Sequence, residues 1–345
     1  MSIIDKPSDY FNTKLYTGNG GTQSITGVGF QPDWVWIKNR SSVTNHEVAD
    51  SVRGVNKLLK PNDTDAEQSL TTKITSFDSD GFGVGTDANV NGSGNSLVSW
   101  NWKAGTSFTN DASATGIGTI DSAGSVNQDA GFSIVSYTST SGVSSIKHGL
   151  NTVPSVIILK TRAGSASWFV GNASLGWDKV LFLNLTNAVT TDDRVFSPSS
   201  GSDPTSSIFY SDQAGVASAG NMIAYCFAEK QGYSKFGSYT GNGNADGTFV
   251  YTGFKPALFL LKANAAGENW RIFDNKRSTF NPNSTSLQPN STNAEASNTD
   301  IDFCSNGIKL RTTSGEINPS GTSFIYMAFA EESFVSSTGV CATAR

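Results

Sequence analysis

Charge is scarce in this 345-residue chain. Asp, Glu, Lys and Arg together make up 15% of it, against about 25% in an average soluble protein. The formal net charge is -5 at pH 7. A phosphate-backbone partner calls for a basic stripe instead, so no nucleic-acid partner is expected. Cysteine is also rare. Cys226, Cys304 and Cys341 are odd in number and widely spaced, with no CxxC pair, which removes the usual zinc and redox motifs. Cys226 lies in an apolar run and reads as a small buried hydrophobe. No apolar run approaches the roughly 18 residues that span a membrane. Met1-Ser2-Ile3-Ile4-Asp5-Lys6-Pro7 lacks a basic-then-apolar leader, so synthesis in a cytoplasm without export or membrane insertion is expected. Sequons such as Asn172-Ala173-Ser174 and Asn184-Leu185-Thr186 then carry little weight.

Gly, Ser, Thr and Asn supply the polarity instead, and they suit turns and short strands. Short apolar runs alternate with Gly-, Asn-, Ser- and Asp-rich clusters, the pattern of an all-β protein. Helix is expected only as one or two turns within Asp50 to Leu59. Asp80-Gly81, Asn91-Gly92 and Asn306-Gly307 read as hairpin turns, because Gly tolerates positive φ.

One phrase occurs three times. Pro32 leads into Asp33-Trp34-Val35-Trp36-Ile37-Lys38, Pro154 into Ser155-Val156-Ile157-Ile158-Leu159-Lys160, and Pro256 into Ala257-Leu258-Phe259-Leu260-Leu261-Lys262. Upstream of each stand Tyr16-Thr17-Gly18-Asn19-Gly20, Tyr137-Thr138-Ser139-Thr140 and Tyr239-Thr240-Gly241-Asn242-Gly243. Each copy closes on a second apolar run: Leu97 to Trp102, Met222 to Phe227 and Phe324 to Phe329. The expected architecture is three tandem, related β-sandwich-like (jelly-roll-like) domains. The first spans 1–104 with a short N-terminal arm, the second 131–232, and the third 233–345 with a short C-terminal tail. Residues 105–130, rich in Gly, Ser and Thr, read as a linker.

A strand with one wet face alternates apolar and polar residues. Val156-Ile157-Ile158-Leu159 and Leu258-Phe259-Leu260-Leu261 do not alternate, nor do the closing runs. A second cover is therefore required: a long loop, a neighbouring repeat or a neighbouring chain. Burial in an oligomer also fits the low charge.

Residues that carry chemistry are few. His46 occupies the place of Trp168 and Trp270 and reads as half-buried packing. His148 has no counterpart, and no GxSxG pattern places a nucleophile. Asp63 with Asp65, Asp78 with Asp80, and Asp192 with Asp193 are carboxylate pairs of the kind glycoside hydrolysis needs, but any acidic protein offers such pairs; Asp78-Ser79-Asp80-Gly81 lacks the closing Glu of a calcium loop and reads as a solvated turn. Gly81-Phe82-Gly83-Val84-Gly85 has neither phosphate-binding pattern. Trp34 with Trp36 and Trp100 with Trp102 share strand faces, and aliphatic counterparts point to packing over sugar stacking. Lys38 with Arg40, Lys160 with Arg162, Asp50 with Arg53, and Asp274 with Arg277 read as ordinary surface charges, the acid–arginine pairs each worth under about 1 kcal/mol if exposed. No catalytic residue, metal ligand or cofactor is expected, and no ligand-binding residue is assigned.

The run from Tyr16-Thr17-Gly18-Asn19-Gly20 through Val28-Gly29-Phe30-Gln31-Pro32-Asp33-Trp34-Val35-Trp36-Ile37-Lys38-Asn39-Arg40 resembles a repeated domain of unknown function found in virion structural proteins of marine tailed bacteriophages. Asp129-Ala130-Gly131-Phe132-Ser133-Ile134-Val135-Ser136-Tyr137, His148-Gly149-Leu150 and Pro154 are similar to a second version of it. The resemblance implies a non-enzymatic, surface-exposed virion component, either a tail fibre or appendage or a head decoration. Its implied partners are itself, a trimer included, and other virion proteins. A lectin-like module binding host glycan is the alternative, and a glycan depolymerase the third.

Overall fold

The proline-led runs become the central strands of three sheets that share one strand order. The computed structural model describes residues 4–198, 202–216, 220–334 and 341. The chain is all-β, built from several antiparallel sheets and a few one-turn helices. Among the described residues, no helix is long and apolar enough to cross a membrane.

In the first repeat an opening strand, Phe11–Thr17, pairs with the closing strand Ser96–Trp102. That strand pairs with the central strand Trp34–Asn39, which in turn pairs with the edge strand Glu47–Asp50. The third repeat repeats this order with Ser234–Thr240, Ser323–Ser333, Phe254–Ala263 and Arg271–Asp274. The second does so within a larger sheet, through Phe132–Ser139, Gly220–Phe227, Val156–Thr161 and Phe169–Asn172. The register is common too: Trp34 lies opposite Trp102, Val156 opposite Phe227, and Leu258 opposite Phe329.

Alternate residues of these strands face two different cores. One face packs on the repeat's own outer strands. Val35 and Ile37 meet Ile25 and Phe82 in the first repeat, Ile157 and Leu159 meet Ile146 and Phe209 in the second, and Phe259 and Leu261 meet Val250 and Ile308 in the third. The other faces of all three inner sheets fall in a single cluster, with Trp34, Trp100, Trp102, Ile158, Tyr225, Phe227, Leu258, Met327 and Phe329 at its heart. Trp34 stacks on Tyr225 at 4.5 Å, and the equivalent rings Trp102 and Phe227 lie 5.6 and 5.9 Å from Phe329. Of the three covers left open by the sequence, the neighbouring repeat is the one found.

The stretch 105–130 is not a linker. Its strands Thr106–Asn110 and Ser122–Asn127 extend the second inner sheet at one end, as Lys179–Phe182 and Thr190–Thr191 do at the other, to make eight strands. Its small residues have a packing reason: a Cβ on Gly124 would stand 2.1 Å from the Ile134 carbonyl oxygen and 2.8 Å from the Phe108 ring. Asn91-Gly92 ends a short helix, Ala88–Asn91, and is no hairpin, whereas Asp80-Gly81 and Asn306-Gly307 do join paired strands. Within Asp50 to Leu59 there is a turn and no helix. The expected C-terminal tail lies outside the described residues apart from Cys341, which is exposed.

Because Phe329 serves all three inner sheets, Phe329→Ala is expected to cost about 3–5 kcal/mol. Urea denaturation followed by tryptophan fluorescence checks this. A loss below about 1 kcal/mol would mean that the shared cluster is loosely packed.

Candidate functional site

The chemistry-bearing side chains gather where one repeat meets the next. Downstream of Glu47–Asp50, Phe169–Asn172 and Arg271–Asp274 comes an Asn-x-Thr tripeptide: Asn62-Asp63-Thr64, Asn184-Leu185-Thr186 and Asn290-Ser291-Thr292. In each, the Asn side-chain oxygen accepts the backbone N–H of its own repeat's His46, Trp168 or Trp270, at 2.8, 2.9 and 2.9 Å. The Thr carbonyl turns outward to the neighbour. Thr64 accepts from the N–H of Ala166, Thr292 from Thr44 and Thr186 from Gly267, at 2.9–3.0 Å. Three residues after each Thr, a second backbone bond crosses: the N–H groups of Glu67, Glu295 and Val189 donate to the carbonyls of Arg162, Arg40 and Asn264 at 2.9–3.0 Å. The second repeat thus sits on the first, the first on the third, and the third on the second. The ring closes within one chain.

The ring side chains seal the same seams. The Trp168 indole donates to the Lys60 carbonyl at 2.9 Å and the Trp270 indole to the Phe182 carbonyl at 2.8 Å. His46 plays that part in the first repeat. Its Nδ1 accepts from the Trp36 indole at 2.9 Å, which leaves Nε2 as the N–H that donates to the Gln288 carbonyl at 3.0 Å. His46 is fully buried rather than half-buried. Burial, then Lys38 and Arg277, hold its pKa well below the ordinary value. Lys38 and Lys160 are not surface cations: with Lys262 they are buried beside these contacts and donate to backbone carbonyls, among them Thr292 for Lys38 and Thr64 for Lys160. Burial draws each of the three down to about 8.

Of the charges expected at the surface, Asp50, Arg53, Asp274 and Arg277 are buried and Arg40 and Arg162 half-buried, at two of the three seams. Arg53 pairs with Asp50, both side chains having no exposed surface, and also reaches Glu67, which Arg162 binds from the second repeat. Tyr225 of the second repeat donates to Asp50 at 2.7 Å. The seam between the first and third repeats copies this set: Arg277 pairs with Asp274 and reaches Glu295, Glu295 binds Arg40, and the Trp100 indole donates to Asp274 at 3.0 Å. Burial raises the pKa of Glu67, but its hydrogen bond to Arg162 and the charge of Arg53 outweigh that and hold it low. At the third seam every member changes together. Asn172, Leu175, Val189, Asn264 and Met327 stand where the others have acid, Arg, Glu, Arg and an aromatic donor. Leu175 and Val189 pack on the shared core instead.

The Gly-Asn-Gly motif is a clasp that ties the turn after the opening strand to the segment just before the closing strand. Asn91 accepts the Asn19 N–H at 2.9 Å and donates to the Asn19 side chain at 3.0 Å, and Asn318 and Asn242 repeat both distances. A Cβ on Gly18 would meet the Gly92 carbonyl oxygen at 2.2 Å, and one on Gly241 the Pro319 oxygen at 2.3 Å. Tyr16 and Tyr239 anchor the same turns through Val90 and Ile317.

The remaining sequence candidates are accounted for singly. His148 is buried, accepts the Leu150 N–H at Nδ1 and so donates from Nε2 to Thr205. Asp80 accepts the N–H groups of Gly27 and Gly29, which hold its pKa low. Asp65 pairs with Lys60, and Asp192 caps a short helix and pairs with Arg194. Burial pushes the Cys226 thiol up. Trp34, Trp36, Trp100 and Trp102 are all buried. Among the described residues, no group of three or more His, Cys, Asp or Glu is placed to hold a metal. Sequence reasoning missed the Asn-x-Thr set, although its spacing of 24, 24 and 28 residues behind Lys38, Lys160 and Lys262 was open to view.

A family model described as "Domain of unknown function (DUF7483)" matches residues 6–333. The chain belongs to that family. The matched span takes in all three inner sheets, so the family unit includes the closed ring. No curated protein and no solved structure matches the chain.

Trp36 with His46 matches Leu260 with Trp270 in summed bulk but not in order. His46→Trp alone is expected to cost about 1–3 kcal/mol by overpacking. Adding Trp36→Leu should recover most of it, and a denaturation double-mutant cycle reads the coupling; additive losses would contradict the shared-volume account.

His148 ionises near 6.5 when unfolded and, because burial disfavours its charged form, only near about 4 when folded. The unfolded state therefore binds more protons between those values. Stability is full above pH 6.5 and falls as pH drops toward 4, by up to about 3 kcal/mol from this residue. Urea midpoints at pH 7 and 4.5 check this. The His148→Asn variant, whose side chain still meets the Leu150 N–H, should show a shallower fall.

Proposed function

We propose that this chain is a non-enzymatic structural component of a bacteriophage virion, assembled in the host cytoplasm and exposed on the particle as a tail fibre or appendage or a head decoration. There it contributes to particle assembly and host-surface contact. The observation that carries the reading is the closed ring. His46, Trp100, Trp168, Trp270, Arg40, Arg53, Arg162 and Arg277, with the acids they meet, are engaged in holding repeats together, as in a protein whose task is shape. The resemblance of the repeated phrase to virion proteins supplies the setting.

The proposed partners are other virion proteins and further copies of the chain. The doubly apolar strands do not argue for self-association, because neighbouring repeats cover them. A ring of three similar repeats instead offers a threefold-symmetric partner a match from a single copy. A glycan-binding role is the second reading, favoured by exposed aromatic residues on the third repeat.

Mass spectrometry of purified particles from an infected culture tests the proposal. Recovery of the chain at a fixed ratio to the capsid protein is expected. Abundance in the lysate with absence from the particles would contradict it.

A further inference from the structure

The outer sheet of the third repeat departs from that of the first in one respect that folding does not require. Its edge strand, Phe249–Tyr251, pairs with Gly307–Leu310, which pairs with Ala296–Cys304. Val250, Ile308 and Phe303 point into the core. The register therefore places Phe249, Lys309 and Asp302 in one outward row and Tyr251, Gly307 and Cys304 in the next. The same rows in the first repeat are Ser24, Gly83 and Ser76, then Thr26, Gly81 and Asp78. A sheet of this kind thus stands with small polar residues outside. The third repeat carries two aromatic rings there, 42% and 59% exposed.

Both rings rest beside glycines. A Cβ on Gly307 would come within 2.8 Å of the Phe249 ring, and one on Gly253 would stand 3.5 Å from the Tyr251 hydroxyl. Polar groups flank them: Lys309 pairs with Asp246 at 2.8 Å and Arg311 with Asp302 at 3.0 Å, with Asp246 80% exposed. Two half-exposed rings supply far less than the roughly 1,600 Å² that a stable protein interface buries. Their size and surroundings suit a sugar ring. Its axial C–H groups carry slight positive charge and stack on the negative face of an aromatic ring, while its hydroxyls bond to carboxylate and ammonium groups.

We propose that this face binds carbohydrate, with Phe249 and Tyr251 stacking on pyranose rings and Asp302, Lys309, Arg311 and Asp246 taking their hydroxyls. The site rests on the host-surface contact proposed above and names its ligand class. A single patch gives weak affinity, raised by the number of copies on a particle.

Saturation-transfer NMR on the full chain tests this with the methyl glycosides of glucose, galactose, mannose and N-acetylglucosamine and with a lipopolysaccharide core oligosaccharide. Transfer to axial ring protons of at least one probe is expected, reduced at least tenfold in the double variant Phe249→Ser, Tyr251→Thr. That variant carries the residues of the first repeat, and its melting temperature should match the parent. If it melts early, Tyr251→Thr alone is used. No transfer to any probe, or transfer that persists in the variant, overturns the site. Either result is separate from recovery of the chain in particles, so the structural reading stands or falls on its own test.

Discussion

Each inner sheet of this protein is apolar on both faces, and no sheet of that kind is stable in water until both are covered. One face finds its cover inside the repeat. The other finds it only where three such sheets meet, around Trp102, Phe227 and Phe329. The low charge follows, since strand residues that elsewhere meet solvent are here interior. So does the position of the polar machinery: wherever two repeats touch, backbone groups at the strand ends enter a dry seam and must be paired there. The Asn-x-Thr tripeptides, the indoles and the buried lysines do that pairing.

The three seams are alike in backbone and unlike in charge. Two carry an acid–arginine–glutamate–arginine chain, and the third has the neutral residues Asn172, Leu175, Val189 and Asn264 at all four places. Buried ion pairs are weak evidence of stability, but removal of one partner costs about 3–5 kcal/mol. Setting Arg40 against Val189 would leave such a charge unpaired. The difference therefore favours one cyclic order of the repeats over its alternatives, an effect of specificity more than of strength.

Much of the fold was legible in the sequence. The period of the proline-led runs, the glycine turns and the lack of helical pattern led to an all-β chain with repeated sheets. The unbroken apolar strands announced a second cover without naming it, because a neighbouring repeat and a neighbouring subunit make the same demand on a strand. The charges were misread for a related reason. Arg53, Asp50 and Asp274 look like surface residues one at a time, and their burial, like the half-burial of Arg40, depends on partners more than 90 residues away, such as Tyr225 for Asp50, Trp100 for Asp274 and Glu295 for Arg40. Residues 105–130 were read as a linker because two strands with a wet face and tight glycine packing share the composition of one. The outward aromatics Phe249 and Tyr251 were unremarked for the opposite reason, since only the register shows that they point away from the core.

Differential scanning calorimetry of the intact chain tests most directly that the three repeats share one core. The account predicts a single transition whose calorimetric enthalpy equals its van't Hoff enthalpy, because no inner sheet is covered alone. Two or three resolved transitions, each near the enthalpy of a domain of about 100 residues, would show that the repeats fold independently and would contradict it.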